Sequence, residues 1–597
     1  MYTAREMFRS SALLSVFSMM IFCNSAVLAA QGGGTGGDGK PKSVISADGL
    51  WDKDGATTVA LTGAGARISG DGAAFSGRTL TIRQAGTYVL SGKLENGQVL
   101  IDTGKNDTVR LVLNGVSLHN ETGPAIYAPK SKEIILILEK GVQNTVSDGL
   151  HYAVSKDDNA NAAIFVQDNL SIAGDGVLTV TGRNKHGIRS QDFLTITGGV
   201  ISVDSAGDAL RGRDGVVISG GSFTLKSGGD GIYSNNDKDD AKGFVTIAGG
   251  AFTINAKNDG IQARTSLTIS GGAFQITTGG GSAGAPARMN NSRGGFGGGR
   301  GFGPAPKPVT VASVSKKGLK AGKLIHVTGG DFVIDAEDDA VHSNDKIIIA
   351  GGKFTVRTGD DGFHANTALE ISGGDINIIS SYEGIESISI TISGGNIKVY
   401  ASDDAVNAAD GTANTFGRGP WGGGGRFSIN ENMFVRITGG TLDLHGGSDG
   451  IDSNGNIFIE GGTIKISGPS LVMDGAIDLD GSLIVSGGEL ITAGSIQDVS
   501  QNSTQPVILL SHARQHPSGS VIEIKDSNGK VLLDYTSRVA FYMSGFSSPS
   551  FKIGGTYSLF INGEKQTDIK LNTIVTRISD TGGAYNGGRG FGGRGRW

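Results

Sequence analysis

Cysteine is all but missing from this chain. The single one, Cys23, lies inside an N-terminal apolar run, so a chain cleaved after that run has no disulfide and no thiol chemistry. Charge of one sign is missing too. A net charge of -5 argues against a dedicated nucleic-acid binder while leaving room for a local charged patch. Beyond the N-terminal run, no stretch is long and apolar enough to cross a bilayer. Proline is scarce at 12 residues and aromatics make up 6%. What is abundant is glycine, 100 of 597 residues, and the lack of a G-X-Y period excludes collagen. The remainder is rich in Ile, Val, Thr and Ser, which suit half-buried strands. A chain this long exceeds one compact core, so it is several domains or a repeat array, and the composition favours the array.

The N-terminus reads as an export signal. Arg5 and Arg9 precede the apolar residues 12–22, and small residues follow at Ala26, Ala29 and Ala30. Cleavage is expected near Ala29 or Ala30. The apolar run is short for a membrane anchor, and Met20, Ile21 and Phe22 before Cys23 lack the small residues of a lipoprotein site. The mature protein is therefore expected to be exported, whether secreted, periplasmic or at the cell surface.

A phrase of the form apolar-Thr-Ile-x-Gly-Gly-x-apolar-x-apolar recurs from Gly198-Gly199 to Gly487-Gly488, with most neighbouring pairs 21 or 22 residues apart. Within it the alternation is that of short strands: Ile218, Phe223 and Leu225 can point inward with polar residues between them. Three strands and three turns fit about 22 residues, and stacking such units at about 4.8 Å pairs every strand with its neighbours above and below. The expected fold is all-β: a right-handed single-stranded parallel β-helix, about 22 residues per coil, with an N-terminal cap and a small C-terminal β cap. Propeller blades need repeats roughly twice this length, and sandwiches hold no fixed register over many repeats.

The expected organisation is a signal peptide over residues 1–30, a Gly-rich disordered leader over 31–42, and an N-terminal cap with the first coils over 43–150. The parallel β-helix follows over 151–504. Gly-rich insertions interrupt it at 279–322 and 410–426, the latter with Trp421. A C-terminal β cap spans 505–580 and a Gly/Arg-rich tail 581–597. The Arg-Gly-Phe stretch at 292–302 resembles RNA-binding arms; in an exported protein it reads instead as a flexible cationic loop, and no nucleic-acid partner is expected.

Alignment on Gly-Gly puts an acid about nine residues later in nearly every repeat: Asp208, Asp230, Asp259, Asp339, Asp361, Glu383, Asp404, Asp449 and Asp474, each followed by Gly or Ala. Asp338, Asp360 and Asp403 double the acid in three of them. Asp-Gly is an ordinary turn signal for any one repeat. As a column, however, carboxylates stacked about 5 Å apart repel by roughly 1 kcal/mol in water and several at a partly shielded surface. No Lys or Arg column is legible beside Asp338 to Asp404. A divalent cation with oxygen ligands would relieve the repulsion, and Ca2+ accepts several carboxylates in flexible geometry. The expected metal ligands are Asp338, Asp339, Asp360, Asp361, Glu383, Asp403 and Asp404. A second site is expected where the inserted loop with Asp237, Asp239 and Asp240 comes beside Asp230 and Asp259. A further column, three residues after the acid, reads Arg189, Arg211, Tyr233, Gln262, His342, His364, Glu386, Asn407 and Asp452. From Tyr233 onward it is a candidate sugar-binding row, expected to face solvent. Nothing in the spacing of His342 and His364 demands zinc.

Long phrases carry a resemblance. "AGTYVLSGKLENGQVLIDTGKNDTVRLVLNGVSLHNETGPAIYAP" at 85–129, "LILEKGVQNTVSDG" at 136–149, "DGIYSNNDKDDAKGFVTIAGGAFTINAKNDGIQA" at 230–263 and "SPSFKIGGTYSLFINGE" at 548–564 resemble a family of secreted bacterial carbohydrate-binding domain-containing proteins. The Gly/Arg/Phe-rich insertion after "TTGGGS" at 277–282 also fits. The resemblance covers about residue 67 to 580. It implies a right-handed parallel β-helix similar to pectate lyases, bound calcium, and binding of polysaccharides that include acidic ones such as polygalacturonate. It carries over to the Asp-Gly-Ile repeats and the Asp237 to Asp240 loop, with Glu383 departing from the usual Asp.

Three functions compete. A binder would bridge its acid column to an acidic glycan through Ca2+. A polysaccharide lyase would need Ca2+ to acidify the proton beside a sugar carboxylate and a base to remove it, with Arg211, Arg213 and Arg264 as the candidates near Asp230 and Asp259. A structural protein of a cell surface or matrix would use Ca2+ only as a stabiliser. Repetition of the acids suits binding more than catalysis, and a monomer is expected.

Overall fold

The computed structural model describes residues 51–152, 160–286, 314–409, 432–469, 474–497 and 499–581. The signal peptide, the Gly-rich leader, the 410–426 insertion with Trp421, the Arg-Gly-Phe stretch and the tail beyond residue 581 lie outside the described residues.

The alternation seen in the sequence becomes strands. In Ser222–Ser227 every second side chain is buried, and the same holds for Ala251–Ala256, Ala273–Thr278 and Asp331–Ala336. Each repeat supplies three strands, and each strand pairs in parallel with its counterpart in the next repeat. Ser222–Ser227 pairs with Ala251–Ala256, Ile232–Ser234 with Ile261–Ala263, and Phe244–Ile247 with Ser266–Ile269 through the intervening register Val245↔Leu267 to Ile247↔Ile269. Three parallel ladders result: a long one of six-residue strands, a short one of three-residue strands, and a third whose strands end at Gly-Gly. Among the described residues there is no α-helix, and no helix is long and apolar enough to cross a membrane.

In-register stacking turns one sequence position into one spatial column. Phe223, Phe252, Phe274, Phe332 and Phe354 stack ring on ring with centroids 4.6, 4.7, 4.7 and 4.5 Å apart, the spacing of the strands that carry them. Leu225, Ile254, Ile276, Ile334 and Val356 form a second buried column beside them.

The two glycines of each pair serve different ends. The second turns the chain with a left-handed backbone, as at Gly250 with φ 116° and Gly272 with φ 117°. The first leaves room for the repeat before it: a Cβ on Gly271 would stand 2.8 Å from the Ala248 carbonyl oxygen.

The parallel ladders begin earlier than residue 151. Thr57–Gly63 already pairs in parallel with Gly86–Leu94, which pairs with Thr108–Asn120. Leu319–Ala321, assigned from the sequence to the first insertion, is a regular short-ladder strand paired with Ile261–Ala263 and Val341–Ser343. At the other end Leu483–Ala493 takes an antiparallel partner, Phe541–Ser547, which also pairs with Val507–His516. A separate four-stranded antiparallel sheet, from Val521–Lys525 to Glu564–Lys570, packs its own apolar core with Phe546 and Ile491. The last repeat therefore does not present an open apolar edge.

Candidate functional site

The acids occupy the corner where the long ladder passes into the short one. The aspartates of the main column from Asp208 to Asp449 are buried, contrary to the partly shielded surface expected: Asp230 is 5% exposed, Asp259 1%, Asp339 2% and Asp361 6%, while Glu383 and the doubling acids are half-buried. The reason is a backbone role. From Asp208 to Asp449 the aspartates of the column accept, through Oδ1, a backbone N–H of the following repeat. Asp208 accepts from Asp230 (3.1 Å), Asp230 from Asp259 (3.0 Å), Asp339 from Asp361 (3.2 Å), Asp361 from Glu383 (3.2 Å), Asp404 from Asp449 (2.8 Å) and Asp449 from Gly475 (2.6 Å). His186 opens the same column, its Nδ1 taking the Asp208 N–H at 3.1 Å. Without these oxygens a row of corner amides would be left unpaired.

The small residue after each acid is likewise not the left-handed turn glycine that Asp-Gly suggested. Gly231 and Ile232 donate to the Asp259 and Gly260 carbonyls at 3.0 Å, continuing the short ladder. A Cβ on Gly260 would meet Ile276 Cγ2 at 2.5 Å and the Gly318 oxygen at 2.6 Å. The position is tight, and only the smallest side chains fill it, with Ala209, Ala340 and Ala405 in other repeats.

Three residues beyond each acid lies the second column, in register through Arg189, Arg211, Tyr233, Gln262, Lys320, His342, His364, Glu386, Asn407 and Asp452. It is half-buried rather than open to solvent, and Arg189 and Asn407 are buried. The reason is that these side chains fold back over the acids. Arg211 reaches Asp208 Oδ2 at 2.9 Å, His342 Nδ1 lies 2.7 Å from Asp339 Oδ2, and His364 Nδ1 lies between Asp361 (3.1 Å) and Glu386 (2.9 Å). Gln262, with its amide nitrogen toward the acids, donates to Asp259 Oδ2 (3.1 Å) and Asp230 Oδ2 (3.0 Å).

Two lysines that alignment on Gly-Gly missed change the charge pattern. Lys317 occupies the acid position of its own repeat: its N–H goes to Asp259 Oδ1 at 2.7 Å and its ammonium bridges Asp338 (2.8 Å) and Asp339 (2.6 Å). Lys320 fills the second column and reaches Asp259 Oδ2 at 3.2 Å. Among the described residues no Lys or Arg column runs beside the acids from Asp338 to Asp404, but a single cation, Lys317, is in place at Asp338 and Asp339.

The corner is polarised as a result. From Asp208 to His364, Arg211, Lys317, Lys320 and His364 bring positive charge against the acids, although burial still raises Asp230 and Asp361. Although burial alone would raise Asp339, the His342 hydrogen bond and the Lys317 charge hold it well below the usual carboxylate range. Burial opposes the charge on His364, yet its bonds to Asp361 and Glu386 push it up to about 11. Beyond His364 the acids stand together. Burial, then Glu386, pushes Glu383 up to about 8. Burial, then Asp452 and Asp449, pushes Asp404 up to about 10, and Asp449 rises to about 8 chiefly by burial. Oxygens of Glu383, Asp403 and Asp404 converge within 4.8 Å. Asn407 donates its amide N–H to Glu383 Oε2 at 3.0 Å, while its buried Oδ1 has no hydrogen-bond partner. Asp338, Asp339 and Asp360 form a second convergent trio, but Lys317 holds its charge.

The loop carrying Asp237, Asp239 and Asp240 does not join Asp230 and Asp259. It follows the short strand Ile232–Ser234, whereas Asp230 and Asp259 each precede the short strand of their own repeat, so it sits at the opposite corner. There Asn236 and Lys242 bind Asp214 at 2.6 Å, and Asp240 pairs with Lys323 at 2.8 Å. The three arginines do not converge either. Arg211 is at the acidic corner, Arg213 lies 3.7 Å from Asp214, and Arg264 lines the cleft with Asn236, Asp237, Asp240 and Lys323.

The ladders and the acid corner define an all-β repeat protein with a polar edge. A family model described as carbohydrate-binding domain-containing protein matches residues 76–362. A carbohydrate-binding domain-containing protein of Acetivibrio thermocellus is 36% identical over 135 residues, 22% of this chain and 47% of the relative. The chain thus spans about half the length of that curated relative. A solved structure of a polysaccharide lyase-like protein from C. thermocellum, a gadolinium derivative, is 33% identical, covering 38% of this chain and 92% of that one with a TM-score of 0.37.

Proposed function

We propose that this chain is an exported polysaccharide-binding protein that holds an acidic glycan, polygalacturonate being the type, along its short-ladder corner in a calcium-dependent manner. In this reading the three ladders wind as a right-handed parallel β-helix, the hand that connections between parallel strands nearly always take. The observation that carries the metal is the cluster of Glu383, Asp403 and Asp404 beside the unpartnered Asn407 Oδ1. Several carboxylates and a neutral amide oxygen, with no nitrogen or sulfur ligand, are the donor set of a hard cation such as Ca2+. Glu386, Asp449 and Asp452 lie in the adjoining repeats. A bound Ca2+ would supply the positive charge that links this edge to a sugar carboxylate. The half-buried row from Tyr233 through His342 to Asp452 offers hydrogen-bond groups at the strand spacing. The match of residues 76–362 to a carbohydrate-binding domain-containing family model supports a glycan as the ligand.

The test is calorimetric titration of polygalacturonate into the mature chain, with calcium and again with chelator. Saturating heat that vanishes with chelator, and that weakens at least tenfold in the double variant E383Q/D404N, is the expected result. Heat that continues after each injection, with unsaturated products, would replace binding by lyase chemistry. Calcium binding without any glycan heat would leave a structural surface or matrix role.

A further inference from the structure

The C-terminal cap contains a cluster unrelated to the acid corner. His512 and His516 lie on Val507–His516, and Asp580 follows the parallel neighbouring strand Val575–Ser579. One ligand atom from each lies within 4.8 Å of the others. A bulge creates the arrangement: Ser511 pairs with Met543 and His516 with Phe541, so the chain arches outward at the exposed residues 513–515. Both imidazoles stay buried beneath the arch, His512 at 7% and His516 at 3% exposure, against Phe541.

Two buried ring nitrogens there lack a hydrogen-bond partner, His512 Nδ1 and His516 Nε2. Such atoms are destabilising unless something coordinates them. His512 Nδ1 stands 3.5 Å from Asp580 Oδ2. The other nitrogen of His512 is 2.9 Å from Ser544 Oγ, which fixes the ring and leaves Nδ1 directed at the carboxylate. Asp580 is itself anchored, both its oxygens accepting the Ala513 N–H at 3.0 and 3.2 Å.

We infer that His512, His516 and Asp580 form a three-ligand site for a transition-metal ion of the Zn2+ class. Two imidazole nitrogens and one carboxylate suit a borderline ion and not the hard cation proposed for the acid corner. A central ion at about 2.0–2.2 Å from each ligand needs inward shifts of under ~1 Å. The ion would staple Val507–His516 to the end of Val575–Ser579 and leave a coordination position for water.

The experiment is a cobalt titration of the chelator-stripped mature chain, prepared without a histidine tag and saturated with Ca2+. A visible ligand-field band saturating at one Co2+ per chain and displaced by Zn2+ is expected. It should disappear in H512Q and in D580N, and persist in a double variant, H342Q/H364Q, of the other histidine pair. Zn2+ should also raise the Tm of the parent chain and not of D580N. If H512Q fails to fold, D580N carries the test, since Asp580 closes the site from its exposed side. No band from the folded chain, or a band that survives D580N and is lost with His342 and His364, overturns the inference.

Discussion

Lys317 stands one repeat before Asp339 in the same spatial column, and its ammonium lies 2.6 Å from Asp339 Oδ2. It also bridges to Asp338 at 2.8 Å. A lysine in an acid column is the one sign reversal between Asp208 and Asp449, and it places a cation in the part of the corner before His364, beyond which the acids stand together.

Removing that lysine leaves buried acids without their counter-charge. K317Q is expected to destabilise the chain by about 3–5 kcal/mol, the magnitude of breaking a buried ion pair. Calorimetric melting in chelator measures it. An unchanged Tm would mean that Asp338 and Asp339 are balanced by something else.

Asp230 predicts a pH dependence. Burial, then Asp208 and Asp259, pushes it up to about 8 from 3.8. Between these values the folded chain binds the extra proton, so its stabilisation is complete below about 4 and is lost as pH rises through about 8. D230N keeps an oxygen for the Asp259 N–H and carries no charge. With chelator present it should melt higher than the parent at pH 8, by on the order of a few kcal/mol, and match it at pH 4. A variant less stable at both pH values would contradict the assignment.

The phenylalanine column should respond as a packed stack. F274A removes a ring held between Phe252 and Phe332 and is expected to lose about 3–5 kcal/mol, with F274L losing less. Guanidinium denaturation monitored by circular dichroism compares the two, and equal losses would show that ring stacking contributes nothing beyond volume.

Calcium should stabilise the acidic half selectively. Excess Ca2+ is expected to raise the Tm of the parent chain and of D208N, and to leave E383Q/D404N unmoved. A calcium shift retained in E383Q/D404N and lost in D208N would move the ion to the other end of the corner.

The sequence by itself determined the periodic part of this protein. Parallel strands stacked in register repeat each position once per unit, so the spacing of Gly-Gly pairs, Phe223 to Phe354, and Asp208 to Asp449 was already a map of spatial columns. What periodicity does not encode, only the tertiary structure decided. Lys317 and Lys320 were hidden because 58 residues separate Gly271 from Gly329, and the insertion between them breaks the alignment that would have placed them. The backbone role of the aspartates from Asp208 to Asp449 was hidden because each N–H partner belongs to another repeat. The convergence of His512, His516 and Asp580 depends on a bulge and on a parallel pairing across 64 residues of non-repeating chain, where closure of the cap and not spacing brings side chains together.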